Sequence, residues 1–100
     1  MRTYKNQFPR YDAELLKIDG FYDSSWGNDI CPSITMDLGN EWYCQIFCDY
    51  LDPKLREEKE SARFFILHQQ DNSYEGAKLM TDSEEEVRQW VKDNITNKKA

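Results

Sequence analysis

The chain has few glycines, and they are scattered at positions 20, 27, 39 and 76. A phosphate-cradling loop needs them clustered, so a nucleotide-binding loop of that kind is excluded. No run approaches the roughly 20 apolar residues of a membrane span. The N-terminal stretch MRTYKNQFPR has no apolar core and does not read as a signal peptide. The three cysteines, Cys31, Cys44 and Cys48, are odd in number and irregularly spaced, unlike a secreted disulfide framework. Together these absences lead us to expect a soluble, cytoplasmic protein with reduced thiols.

Positive charge is also scarce where it matters. Residues 11–52 hold nine acids, Asp12, Glu14, Asp19, Asp23, Asp29, Asp37, Glu41, Asp49 and Asp52, against one base, Lys17. The segment carries −8 while the whole chain carries −6. Phosphate binding needs clustered Lys and Arg, so direct contact with nucleic acid is not expected. The aromatic residues do not sit among basic ones, which removes a single-stranded nucleic-acid platform as well. Such a field attracts basic protein surfaces.

What is present is aromatic area: 14 of 100 residues are Phe, Trp or Tyr. A chain of this length buries roughly 65% of its unfolded surface, enough for one core without staples. The segments WYCQIF at 42–47 and FFIL at 64–67 are too apolar for a disordered chain.

Hydrophobic periodicity organises the chain. Residues 1–10 read as a loose lead-in with Phe8 as an anchor. Residues 14–22 alternate, with Leu16, Ile18 and Tyr22 on one face, and predict a half-buried strand. Gly20 falls on that face, which signals a bulge or close packing. Residues 33–38 alternate cleanly, with Ile34, Met36 and Leu38 on one side and Ser33, Thr35 and Asp37 facing away. Gly39-Asn40 is a two-residue turn signal that leads into a strand over 41–50. In that strand Trp42, Cys44, Ile46 and Cys48 share one face, and Tyr43, Gln45, Phe47 and Asp49 the other. Aromatics on both faces predict a central strand.

Asp52 before Pro53 reads as an N-cap with proline at the first helical position, starting a helical turn or charged loop over 51–61. Residues 62–70 form a fourth strand, 71–73 a turn and 74–80 a short fifth strand. The run TDSEEE at 81–86 offers capping boxes, Ser83 with Glu86 or Thr81 with Glu84. Val87, Trp90, Val91, Asn94 and Ile95 follow the spacing of an amphipathic helix. The predicted fold is therefore α+β. It is a four- to five-stranded antiparallel meander with one C-terminal helix packed on the face carrying Ile34, Met36, Cys44 and Ile46. A single domain spans 11–96, and 97–100 form a polar tail.

No residue is assigned a catalytic or metal-binding role, and no cofactor is expected. Four residues along a strand are roughly 13 Å, so Cys44 and Cys48 read as core thiols and not as a shared metal site. Cys31 and the only histidine, His68, supply the residue types of a thiol-nucleophile site, with Asp29 or Asp49 as the orienting group. No catalytic signature surrounds them, so the thiol enzyme stands as the alternative. SSWGNDICPSI at 24–34 is the other stretch that invites a role. Gly27 and Asn28 tolerate positive φ and Asp29 closes a turn, with Trp26 packing back on the sheet as a lid. Alternatively Trp26 is an interface anchor beside acids.

Trp26-x-Asn28-Asp29-x-Cys31-Pro32-Ser33, with Asp49-Tyr50-x-Asp52-Pro53-x-x-Arg56-Glu57 downstream, resembles small uncharacterised bacterial and phage-type proteins. The resemblance covers residues 20–70 and implies a mobile-element accessory protein, with no activity attached. The leading expectation is a small, acidic, non-catalytic module that binds a basic protein surface, through Asp19, Asp23, Trp26, Asp29, Asp37, Asp49 and Asp52. One version is a phage or mobile-element inhibitor of the anti-CRISPR or anti-restriction type, which occupies a nucleic-acid-binding groove. A structural accessory subunit is the third reading. Monomer and homodimer both remain open.

Overall fold

Alternation in the middle of the chain produces strands where it is cleanest. The computed structural model describes residues 2–58 and 60–96. The elements in order are a helical turn α1 (Tyr4–Gln7), β1 (Tyr22–Asp23), β2 (Ser33–Gly39) and β3 (Trp42–Cys48). A single 3₁₀ turn (Pro53–Leu55), β4 (Phe64–Gln70), β5 (Leu79–Thr81) and the helix α2 (Glu84–Val91) follow. The last element continues as a π-helical turn over Lys92–Thr96. The strands form one antiparallel sheet in the order β1-β2-β3-β4-β5. Sheet plus C-terminal helix make this an α+β protein. The expected polar tail at 97–100 lies outside the described residues.

The core lies on one pleat face. Ile34 pairs with Ile46, Ile46 with Ile66, and Cys48 with Phe64. All of these are buried, and Val87, Val91 and Ile95 from the terminal helix join the same cluster. β-branched residues are poor helix formers, so burial of this stripe supplies what propensity does not. The helix starts at Ser83, whose hydroxyl accepts from the Glu86 N–H. Glu86 also accepts from the Thr81 hydroxyl, and Glu84 to Glu86 place three acids at the positive helix end. Of the two capping boxes expected, the Ser83 cap forms, while the Glu86 side chain goes to Thr81. Asp52 caps the 3₁₀ turn as anticipated, accepting from Lys54 N–H at 2.9 Å.

Four segments differ from the sequence reading. Residues 14–21 are not strand; only Tyr22 and Asp23 pair with β2. Leu15 and Leu16 are adjacent yet both buried in the core, an outcome that alternation forbids and an irregular crossing chain permits. Gly20 has φ +88°, and a Cβ built there meets Met36 Cε at 2.4 Å, so close packing is the reason for glycine. The hairpin between β2 and β3 turns one residue later than Gly39-Asn40. Asn40 and Glu41 take φ of 53° and 69°, and Gly39 absorbs a bulge after Asp37. The fifth strand is confined to Leu79–Thr81, with Gly76 at φ +82° in the irregular stretch before it.

The lead-in is also structured. Thr3 and Asn6 form a reciprocal capping box on α1, and Phe8 behind it is buried. Trp90 is only partly buried and lies edge-on to His68, with ring centroids 5.9 Å apart. It therefore packs at the margin of the core and not at its centre.

The face assignment predicts a contrast between neighbours on β4. Ile66→Ala removes a fully buried side chain and is expected to cost about 2–5 kcal/mol. Leu67→Ala, on the opposite face and partly exposed, is expected to cost about 1 kcal/mol. Urea melts of the two variants decide it; equal losses would mean that β4 is buried on both faces.

Candidate functional site

The loop over residues 24–32 is tied down from three directions. Asp23 reaches out of β1 with both oxygens: Oδ1 accepts from Ser25 N–H at 3.0 Å and Oδ2 from Tyr4 N–H at 2.8 Å. Ser33 N–H donates to the buried Ser25 Oγ at 3.2 Å. Gly27 N–H donates to Gln7 Oε1 at 2.9 Å, which joins the loop tip to α1. Asp29 N–H closes the turn on the Trp26 carbonyl at 2.9 Å. A turn does lie here, but neither Gly27 nor Asn28 takes the positive φ expected of it, and Trp26 is no lid. It is 43% exposed and stands outside the core, with the Arg2 guanidinium 4.1 Å from its ring centroid.

The seven candidate binding residues do not gather into one patch. Asp19 is exposed beside Arg88 and Lys92 of the terminal helix. Asp37 is exposed and shares a hollow of about 350 Å³ with Tyr22, Trp42, Tyr43, Glu41 and Asp71. Burial raises the Tyr22 hydroxyl above its ordinary range, and the charge of and hydrogen bond to Asp37 add to it. Asp29 lines a separate groove with Glu58, and partial burial raises its carboxyl. Asp52 is exposed but occupied in capping. Asp23 is half-buried and satisfied by backbone donors.

Asp49 is interior, contrary to its assignment to a binding surface. Its Oδ1 accepts from Tyr50 N–H at 2.8 Å, and its Oδ2 faces the Ser61 hydroxyl at 3.4 Å. Burial raises this carboxyl, while the Tyr50 N–H and the charge of Arg56 work against the rise. Alternation in β3 ends at Cys48, so it could not place the residue after it.

Sequence reasoning gave Glu58 and Asp71 no role, because both lie outside the acid-rich segment. It counted Asp12 only as charge. Asp12 proves structural: Oδ1 and Oδ2 accept from Leu51 and Asp52 N–H, each at 2.8 Å. Burial pushes this carboxyl up, but the two backbone donors outweigh it and hold it below its ordinary range.

Cys31 and His68 sit at opposite ends of the sheet. Cys48 N–H donates to the carbonyl of Pro32, next to Cys31, whereas His68 faces Cys44 across β3 and β4. Four strand residues separate those levels, roughly 13 Å. Cys31 is fully buried, and burial, with Asp49 adding to it, pushes its thiol well above the ordinary range. That environment opposes a thiolate. Cys44 and Cys48 are buried free thiols on the core face, each pushed up to about 12 by burial. Among the described residues no group of three or more His, Cys, Asp or Glu side chains is placed to hold a metal ion. No helix among them is long and apolar enough to cross a membrane.

No protein-family model, curated protein or solved structure matches the chain. The functional reading therefore rests on the side chains alone.

The Asp12 clasp makes a pH-dependent prediction. A carboxyl held below its unfolded value of 3.8 contributes stability above that pH and loses it as pH falls through the folded value. Asp12→Asn is expected to cost about 0.5–1.5 kcal/mol at pH 7. The gap to the unsubstituted protein should narrow as pH falls from 3.8 through the lower folded value of the carboxyl. Denaturant melts across this range test it; a gap that stays constant to acid pH would remove charge from the clasp.

Proposed function

We propose that this chain is a non-catalytic binding module for a basic protein surface. The supporting observation is where its ion pairs lie. Among the described residues they are Arg56 with Asp82, Lys78 with Glu75 and Arg88 with Glu84, all outside the acid-rich segment 11–52. Asp29, Asp37 and Glu41 are exposed and take part in no ion pair among the described residues, whereas Asp19 shares its surface with Lys17, Arg88 and Lys92. The charge of the first three is left to act on a partner. In this reading the sheet is a meander covered on one face by the C-terminal helix, and the opposite face is the one on offer. Nucleic-acid-binding proteins are the basic surfaces that best match such a field, which is the target of an inhibitor of the phage or mobile-element kind. No residue is assigned a catalytic role.

Electrostatic recognition has a kinetic signature. For a partner recovered on the immobilised chain, association should slow steeply as salt rises. Asp29→Lys combined with Asp37→Lys should slow association at low salt and flatten that dependence, with the melt unchanged. Association indifferent to both salt and charge reversal would remove the basic-surface reading.

A further inference from the structure

The face of the sheet turned away from the core carries two chemistries side by side. Toward β2 it is polar and internally satisfied. Ser24 and Ser33 hydroxyls lie 2.8 Å apart, Thr35 Oγ1 donates to Ser24 Oγ at 2.7 Å, and Gln45 Nε2 donates to Ser33 Oγ at 3.1 Å. Toward β4 and β5 it is apolar. Phe47 and Phe65 are cross-strand partners stacked at 4.7 Å, and Leu67 continues the surface. Ile30, Tyr74 and Met80 rise around this floor and are 40%, 82% and 60% exposed. Together they line a groove of about 560 Å³. Other large apolar side chains, among them Trp26, Leu51 and Leu55, are exposed elsewhere, but large apolar side chains gathered at one place mark an interaction site more often than scattered ones do.

The groove also has a sign. Its charged lining residues are Asp29 and Glu58, and neither takes part in an ion pair among the described residues. We propose that this groove docks an amphipathic basic segment of a partner protein. Its apolar side chains would rest on Phe47, Phe65 and Leu67, and its Lys or Arg side chains would meet Asp29 and Glu58. The inference rests on the binding-module reading above and locates its contact surface. Charge complementarity selects this occupant. A second copy of the chain would bring another −6 and the same two carboxylates against the first pair. A nucleic-acid backbone would be repelled by the same acids. The partial burial that raises the Asp29 carboxyl is a cost that an incoming cation offsets.

Amide chemical-shift mapping of the full chain tests it. The probes are a synthetic Leu/Lys amphipathic peptide and its Leu/Glu counterpart. The Leu/Lys peptide is expected to shift the amides of Ile30, Phe65, Tyr74 and Met80 saturably, and the Leu/Glu peptide to leave them in place. Tyr74→Ser and Met80→Ser alter exposed side chains and should keep the melt, yet each should weaken Leu/Lys binding roughly tenfold or more. Asp29→Asn with Glu58→Gln should weaken it and flatten its salt dependence. Shifts confined to the surfaces around Asp19 and Asp37 would overturn the groove while leaving the basic-partner reading intact. Equal binding of both peptides would reduce the groove to an undiscriminating apolar patch and overturn the proposal. So would self-association that Tyr74→Ser abolishes, because the occupant would then be a second copy. Absence of Leu/Lys binding anywhere on the chain would overturn both readings.

Discussion

The two faces of the sheet at its centre depend on the register between β3 and β4. Ile46 stands opposite Ile66 and Phe47 opposite Phe65. Side chains alternate with a period of two and β2 holds β3 in place, so a slip of β4 by one residue would send Phe65 inward and Ile66 outward and would part Phe65 from Phe47. No tight turn fixes this register, since residues 49–63 separate the two strands. A buried arginine does part of that work. Arg56 donates from Nε to the Tyr50 carbonyl at 2.7 Å and from Nη1 to the Ser61 carbonyl at 2.8 Å. Its Nη2 reaches the Leu51 carbonyl at 3.3 Å. One guanidinium thus gathers both ends of the long connection, where the chain would otherwise leave carbonyls without donors. Asp49 N–H donates to the Arg63 carbonyl at 2.7 Å and closes the strand pair.

With the register set, the outward face is left with a chemistry that divides it. At β2 the outward residues are small and polar, and their hydroxyls satisfy one another, so Ser33 and Thr35 are buried without strain. At β3 and β4 the outward residues include Phe47, Phe65 and Leu67, which have no hydrogen bonds to make and are incompletely covered. Farther along β4, polar pairing resumes, with Gln69 Nε2 donating to the Tyr43 hydroxyl at 2.8 Å and Gln69 Oε1 accepting from Glu75 N–H at 3.1 Å. The apolar zone is therefore bounded by polar groups that already have partners. An incoming ligand gains from the apolar zone and has little to gain from displacing bonds around it.

How far the sequence carried this picture depends on which physical signal each part left. Strands β2, β3 and β4 were legible because a half-buried strand must alternate, and so were the Ser83 and Asp52 caps, which are local. The alternation of Leu16, Ile18 and Tyr22 misled because an irregular crossing can carry apolar residues at alternate positions without pairing, and Leu15, buried beside Leu16, is the residue that breaks the strand pattern. Asp49 and Arg56 were illegible for a shared reason: whether a charged residue faces water or a ring of carbonyls depends on a loop path that no periodicity encodes. The acids were counted correctly as a total, yet total charge carries no positions. The structure distributes Asp19, Asp29 and Asp37 over three surfaces, and it adds Glu58 and Asp71 from outside the acidic segment.

That scatter has a consequence for the proposed binding. At physiological salt the screening length is about 8 Å, so separated acids act on a distant partner as a diffuse field and contribute mainly to encounter. Holding a partner needs desolvated contact, and the stacked Phe47 and Phe65 with their exposed neighbours are where that contact is available. The two contributions sit on different residues. In the proposed binding, acids remote from the groove, such as Asp37, would govern how fast a basic partner arrives, whereas Tyr74 and Met80 would govern how long it stays. Asp29 and Glu58 belong to both, because they line the groove as well as carry charge. A partner that is basic but lacks an apolar stripe would arrive quickly and leave quickly. The apolar groove, and not the net charge, would then set which basic proteins this one retains.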